Sequence, residues 1–143
     1  MISYFFEDTD FILSHSTTVS NWLNNVAISE GSCVQSLSYI FCSDPYLLSI
    51  NNRFLEHDFY TDVITFDQRD HIDSCIEGDI FVSVDRVYEN ASSFSNSFDE
   101  ELRRVMVHGM LHLLGYEDGS VESKFKMRSL EDHYLSQYPI GIS

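Results

Sequence analysis

The sequence predicts an α+β domain in which helices cover a small mixed β-sheet, with a candidate metal site on a core helix. Three observations predict it. The 143 residues are 43% hydrophobic and 14% aromatic, enough apolar surface for one sizeable core. Hydrophobic periodicity changes along the chain in the order strand, helix, strand, helix, two strands, then helices, an order that lays helices over a sheet. No repeat, low-complexity tract or Gly/Ser-rich linker interrupts that order, so residues 1–143 read as a single domain.

Residues 2–7 read as a first strand. In residues 15–27, Val19, Trp22, Leu23 and Val26 recur at helical spacing and predict an amphipathic helix, with Gly31 ending the connection. Residues 33–42 alternate through Val34, Leu37, Tyr39 and Phe41 well enough for a second strand. Ser43-Asp44-Pro45 then opens a helix over residues 46–55, with Asp44 expected as its cap and Pro45 in the first turn. Residues 61–66 and 79–84 are β-rich runs separated by polar residues and Gly78, and are expected to pair as a hairpin with a long loop. A short helix begins at Asp85, residues 92–96 form a loop, and Ser97 with Glu100 offers a capping-box signature for the main helix. A last helix covers residues 121–134.

The main helix carries the chemistry. From Glu101 to Leu114 there is no proline and one glycine, and Leu102, Val105, Met106, Gly109, Met110 and Leu113 form an apolar stripe. His108 and His112 lie beside that stripe at i and i+4, so both imidazoles point the same way from neighbouring turns, about 5–6 Å apart at the Cβ atoms. Both can reach a single ion at about 2.0–2.1 Å. Gly115 stands where the helix should stop, because glycine reverses the chain through the left-handed conformation without a Cβ penalty. With Tyr116 and Glu117 as the turn, Asp118 can close a third coordination position and leave a fourth for water, the arrangement of a catalytic zinc ion. The plain alternative is that the two histidines are polar residues on the edge of a core helix; the glycine and the acid at fixed offsets favour ligation.

Charge and cysteine usage bound the function. The formal net charge of −15 runs against the lysine- and arginine-driven binding of nucleic acid. Yet five of the eight basic residues, Arg103, Arg104, Lys124, Lys126 and Arg128, flank the proposed metal site in sequence. No stretch approaches 18 consecutive apolar residues, and the N-terminal Met1-Ile2-Ser3-Tyr4 lacks a signal peptide's basic start, so a cytoplasmic protein with no membrane partner is expected. Cys33, Cys42 and Cys75 are widely spaced with no Cys-x-x-Cys pair, and read as reduced thiols, Cys33 and Cys42 as buried fillers.

The run His108-Gly109-Met110-Leu111-His112-Leu113-Leu114-Gly115-Tyr116 resembles the signature of the YbeY family of metal-dependent endoribonucleases. Asn51, Asp58 and Thr61-Asp62-Val63-Ile64-Thr65-Phe66 resemble the family's block from an asparagine to TDV(L/I)(S/T)F, and Gly78-Asp79-Ile80 resembles its Gly-Asp-Ile turn into a strand. The resemblance spans about residues 35–135. It implies cleavage of single-stranded RNA, with ribosomal RNA and the small ribosomal subunit as partners in rRNA maturation and ribosome quality control. It also implies one bound zinc ion and no small-molecule cofactor. Two positions depart from the family pattern. Asp118 stands where a third histidine is usual, which lowers the site's charge by one and should shift its preference toward harder ions. Leu55 stands where many members carry an arginine, and Arg53 is the nearest cation.

No general base is named by the residues alone. Glu117, Asp62 and Glu101 are the candidates, each placed where a surface or turn residue would also stand. Two rival functions share the motif. The spacing matches a zincin metallopeptidase, but position 109 is glycine where such enzymes need glutamate as base. A ribosome-assembly factor with a structural metal would suit the acidic surface, since acidic proteins dock on basic partners.

Overall fold

In a computed structural model, which describes residues 1–56, 61–71 and 73–139, the elements follow the expected order. They are β1 (Ile2–Glu7), α1 (Ser16–Ser29), β2 (Val34–Cys42), α2 (Asp44–Leu55), β3 (Val63–Asp67), β4 (Ile76–Ser83), α3 (Val84–Ser93), α4 (Phe98–Leu113) and α5 (Val121–Leu135). The four strands form one mixed sheet in the order β1-β2-β4-β3. β1, β2 and β4 run parallel, while β3 pairs antiparallel with β4 as the first arm of the expected hairpin, Thr65 opposite Ile80.

Serines start four of the five helices. The side chains of Ser43, Ser83, Ser97 and Ser120 each accept a backbone N–H three residues on, satisfying one of the donors a helix start leaves free. The cap of α2 is thus Ser43, not Asp44 as expected. Asp44 lies in the first turn, where its carboxylate accepts from Ser83 Oγ and Arg86 Nη2. The fourth strand also ends one residue earlier than expected, because the Ser83 cap turns Val84 into α3.

α4 runs through the core. The whole expected stripe is buried, and Val107 and Leu111 are buried as well, since α4 touches the sheet on one side and α3 and α5 on others. Gly109 sets how close helix and sheet come: a Cβ there would meet Ile80 Cγ2 at 2.9 Å and Cδ1 at 3.2 Å. Tyr39 in the sheet donates its hydroxyl to the Met106 carbonyl at 2.8 Å, fixing the helix in rotation and height.

The expectation of three reduced thiols is corrected. Cys33 and Cys75 form a disulfide with Cα atoms 4.7 Å apart, and Cys33 is exposed; Cys42 alone is free and buried. The reason is the sheet register. β2 and β4 pair in parallel with Val34 opposite Ile76, so the residues just before each strand become neighbours although 42 positions separate them.

Candidate metal centre

The C-terminal end of α4 positions the site. Leu114 closes the helix, Gly115 takes φ 106°, and its N–H reaches the His112 carbonyl while the Tyr116 N–H reaches the Leu111 carbonyl. This pair of bonds is the Schellman stop that a left-handed glycine permits. It folds residues 116–118 back along the helix, as the spacing requires.

His108, His112 and Asp118 are thereby brought together. His108 Nε2 lies 3.0 Å from His112 Nε2, and Asp118 Oδ2 lies 3.4 Å and 3.5 Å from these two nitrogens. All three side chains are partly exposed, so an ion can enter. The donor set passes a simple fit test. Three atoms on one face of a tetrahedron with bonds of about 2.0–2.1 Å are spaced about 3.3–3.4 Å apart; the spacings here, 3.0, 3.4 and 3.5 Å, bracket that value. Two nitrogens and one carboxylate oxygen are also the mixed donors that zinc accepts.

Both imidazoles are oriented from behind. His108 Nδ1 faces Glu131 Oε2 at 2.7 Å, and His112 Nδ1 faces the Tyr116 carbonyl at 3.0 Å. A carbonyl can only accept, so His112 carries its proton on Nδ1 and presents a bare Nε2 lone pair. Glu131 is buried and also takes Arg104 Nη1 at 2.8 Å, while Arg104 Nη2 reaches Asp132. Burial pulls the His108 pKa down, but the Glu131 carboxylate and then Asp118 outweigh it, and the net shift is upward. In the apo protein His108 therefore holds a proton more readily than a free imidazole. Glu131 is the residue that the sequence did not announce. It lies 23 positions from His108, and its only local signal is an acid at a buried position of α5, four residues after Met127.

The turn has a further anchor. The Tyr116 hydroxyl donates to Glu30 Oε1 at 2.5 Å and the Tyr134 hydroxyl to Glu30 Oε2, so the C-cap of α1 holds both the turn after α4 and helix α5.

Two cavities meet at the triad. One, of about 510 Å³, is lined by residues that include Asn51, Leu55, Asp62 and Thr65; the other, of about 330 Å³, by residues that include Asn90, Phe94, Glu101, Lys124 and Arg128. Asp62, His108 and Asp118 line both. Burial raises the Asp62 pKa against the opposing pull of His108, and Asn90 Nδ2 donates to its Oδ2 at 3.3 Å. Glu101 is buried rather than superficial and lines the smaller cavity. Glu117 is exposed in the turn, and Arg53 lies over the Phe54 ring; neither lines these cavities. Leu55 lines the larger one, and Asp58 lies outside the described residues. Of the five clustered basic residues, Arg103 stacks over Tyr138, Lys126 lies over Tyr116, and Arg104 is salt-bridged, which leaves Lys124 and Arg128 exposed at the smaller cavity.

Among the described residues no helix is long and apolar enough to cross a membrane. The sequence profile described as Endoribonuclease YbeY matches residues 6–139. A Cytophaga hutchinsonii protein named Endoribonuclease YbeY is 47% identical over 135 residues, 94% of each chain. One of the same name from Flavobacterium psychrophilum is 45% identical over 140 residues, 98% of each. The solution structure of TM1509 from Thermotoga maritima superposes with a TM-score of 0.62 at 27% identity, covering 94% of this chain and 91% of that one. With the α4 motif and these likenesses in agreement, the chain belongs to the YbeY endoribonuclease family.

Proposed function

We propose that the chain is a metal-dependent endoribonuclease that cleaves single-stranded RNA in the cytoplasm, acting on ribosomal RNA in small-subunit maturation and ribosome quality control. The observation that supports this reading best is the convergence of His108, His112 and Asp118 on one point where two open cavities meet, His108 and Asp118 lining both and His112 the larger. The relatives named as endoribonucleases supply the substrate class.

His108, His112 and Asp118 would hold the ion, zinc first, with the carboxylate widening acceptance of harder divalent ions. When bound, it would polarise a phosphodiester oxygen and acidify a water. The chain's own residues do the rest. Glu131 and the Tyr116 carbonyl keep the two ring planes fixed. Asp62, which lines both cavities and has a pKa raised by burial, is the best placed proton acceptor, ahead of Glu101, which lines only the smaller cavity, and Glu117, which lines neither. Arg53, the candidate phosphate-contacting cation, also stands outside both linings. A zincin-type peptidase is disfavoured for a steric reason: a glutamate at position 109 has no room beside Ile80.

The test uses full-length protein stripped by chelator and reloaded with zinc or manganese, offered single-stranded RNA, duplex RNA and casein. Cleavage of single-stranded RNA only when loaded, and lost with metal content in His108→Ala and His112→Ala, is the expected result. Equal cleavage by stripped protein, or cleavage of casein alone, would overturn the proposal.

A further inference from the structure

We propose that the cavity of about 330 Å³ on the α3 and α5 side of the triad is a nucleotide subsite. It would take one unpaired base of the strand against the Phe94 ring, with flanking phosphates on Lys124 and Arg128. The proposal rests on the RNA reading above and names the part of the substrate that this side of the site receives.

Four observations carry it. Phe94 closes α3 as its C-cap and is 57% exposed, so an aromatic ring stands in water at the cavity wall. Every base has a π-face, and stacking on such a ring tolerates any sequence. Lys124 and Arg128 are exposed at i and i+4 on α5, on one face of the helix. In a chain with only eight basic residues and a formal charge of −15, two exposed cations at one cavity mouth form a local positive rim. The interior differs: Glu131 and Arg104 there are paired with each other, Glu131 also holding His108, while Asp62 and Glu101 line it with Asn90 as the acidic groups outside that pair. Carboxylates repel phosphate and accept N–H donors, so the interior suits the amino edge of a base while the rim suits the backbone. Finally, the cavity shares Asp62, His108 and Asp118 with the larger one. A base held in it is therefore adjacent to the bond that the ion would address, and a base still paired in a duplex could not enter.

The experiment measures binding of a short single-stranded RNA carrying 2-aminopurine to full-length protein with the ion withheld by chelator, so that binding is read apart from cleavage. Wild type is expected to quench the fluorophore. Phe94→Ala should weaken binding about tenfold and abolish most of the quenching, while Phe94→Trp restores both. Lys124→Gln with Arg128→Gln should lower the slope of log affinity against log salt by about 1.4, as loss of two single-strand phosphate contacts requires. Unchanged quenching in Phe94→Ala, or an unchanged salt slope in the double variant, overturns the subsite. Failure of wild type to bind overturns it as well. If binding behaves as expected but the reloaded protein cuts no RNA, the subsite stands and the nuclease reading falls.

Discussion

At the residue scale the site depends on how each imidazole is held. His108 and His112 present Nε2 because Glu131 and the Tyr116 carbonyl occupy Nδ1. Partners of this kind raise ligand basicity, and their loss typically costs 10–100-fold in metal affinity. Glu131→Gln is accordingly expected to weaken zinc binding by about that factor in chelator competition while the protein stays folded; unchanged affinity would show that His108 needs no carboxylate behind it. Asp118→His should bind zinc at least as tightly as wild type, because the turn already points the side chain at both Nε2 atoms. Glu101 is a different case. Burial pushes its carboxyl above the ordinary value, with Asn96 and Arg104 pulling the other way. A raised folded pKa means that its contribution to stability is present below the unfolded value and is lost as pH rises through the folded one. The melting-temperature advantage of Glu101→Gln over wild type should therefore grow from about pH 4 toward neutrality, and a constant difference would contradict the shift.

At the element scale, α4 serves both as core and as platform for two of the three candidate ligands. Its apolar residues face the sheet and the helices packed around it, and its two histidines face the cavities. Gly109 permits both by letting the helix lie directly on Ile80 and Val63. Gly109→Ala is expected to cost about 1–3 kcal/mol, the usual penalty of overpacking, seen in chemical denaturation as a lower midpoint with an unchanged slope. The C-terminal end of α4 is also tied down from outside, by Arg69 donating to the Leu113 carbonyl and by Glu30 holding Tyr116. A mobile helix end would move two ligands relative to the third.

At the scale of the whole molecule, the parallel β2 and β4 pairing joins Cys33 to Cys75, and burial, with nearby Asp44 and Asp85, pushes the Cys42 thiol up to about 12. Thiol counting by alkylation and mass spectrometry at neutral pH should find none reactive in the native protein. It should find one after denaturation and three after denaturation with reduction. Rapid labelling of native protein at Cys33 or Cys75 would show that the bridge is not formed.

Much of the fold was legible because it is local. Strand and helix periodicities, the Ser97 cap of α4 and the i, i+4 histidines with Gly115 all act within a few residues of one another. Their errors are local too, as with Asp44 in place of Ser43 as a cap. The unread features pair residues distant in the chain: Glu131 behind His108, Glu30 under Tyr116, and Cys33 beside Cys75. Asp62 was a candidate among several until the hairpin set it on the wall that the two cavities share. The sequence by itself determined which helix carries the candidate ligands and where the chain turns back, since helical spacing and a left-handed glycine are short-range constraints. Only the tertiary structure decided which carboxylates stand behind and beside those ligands, because strand register and helix packing are set by the burial of the whole core.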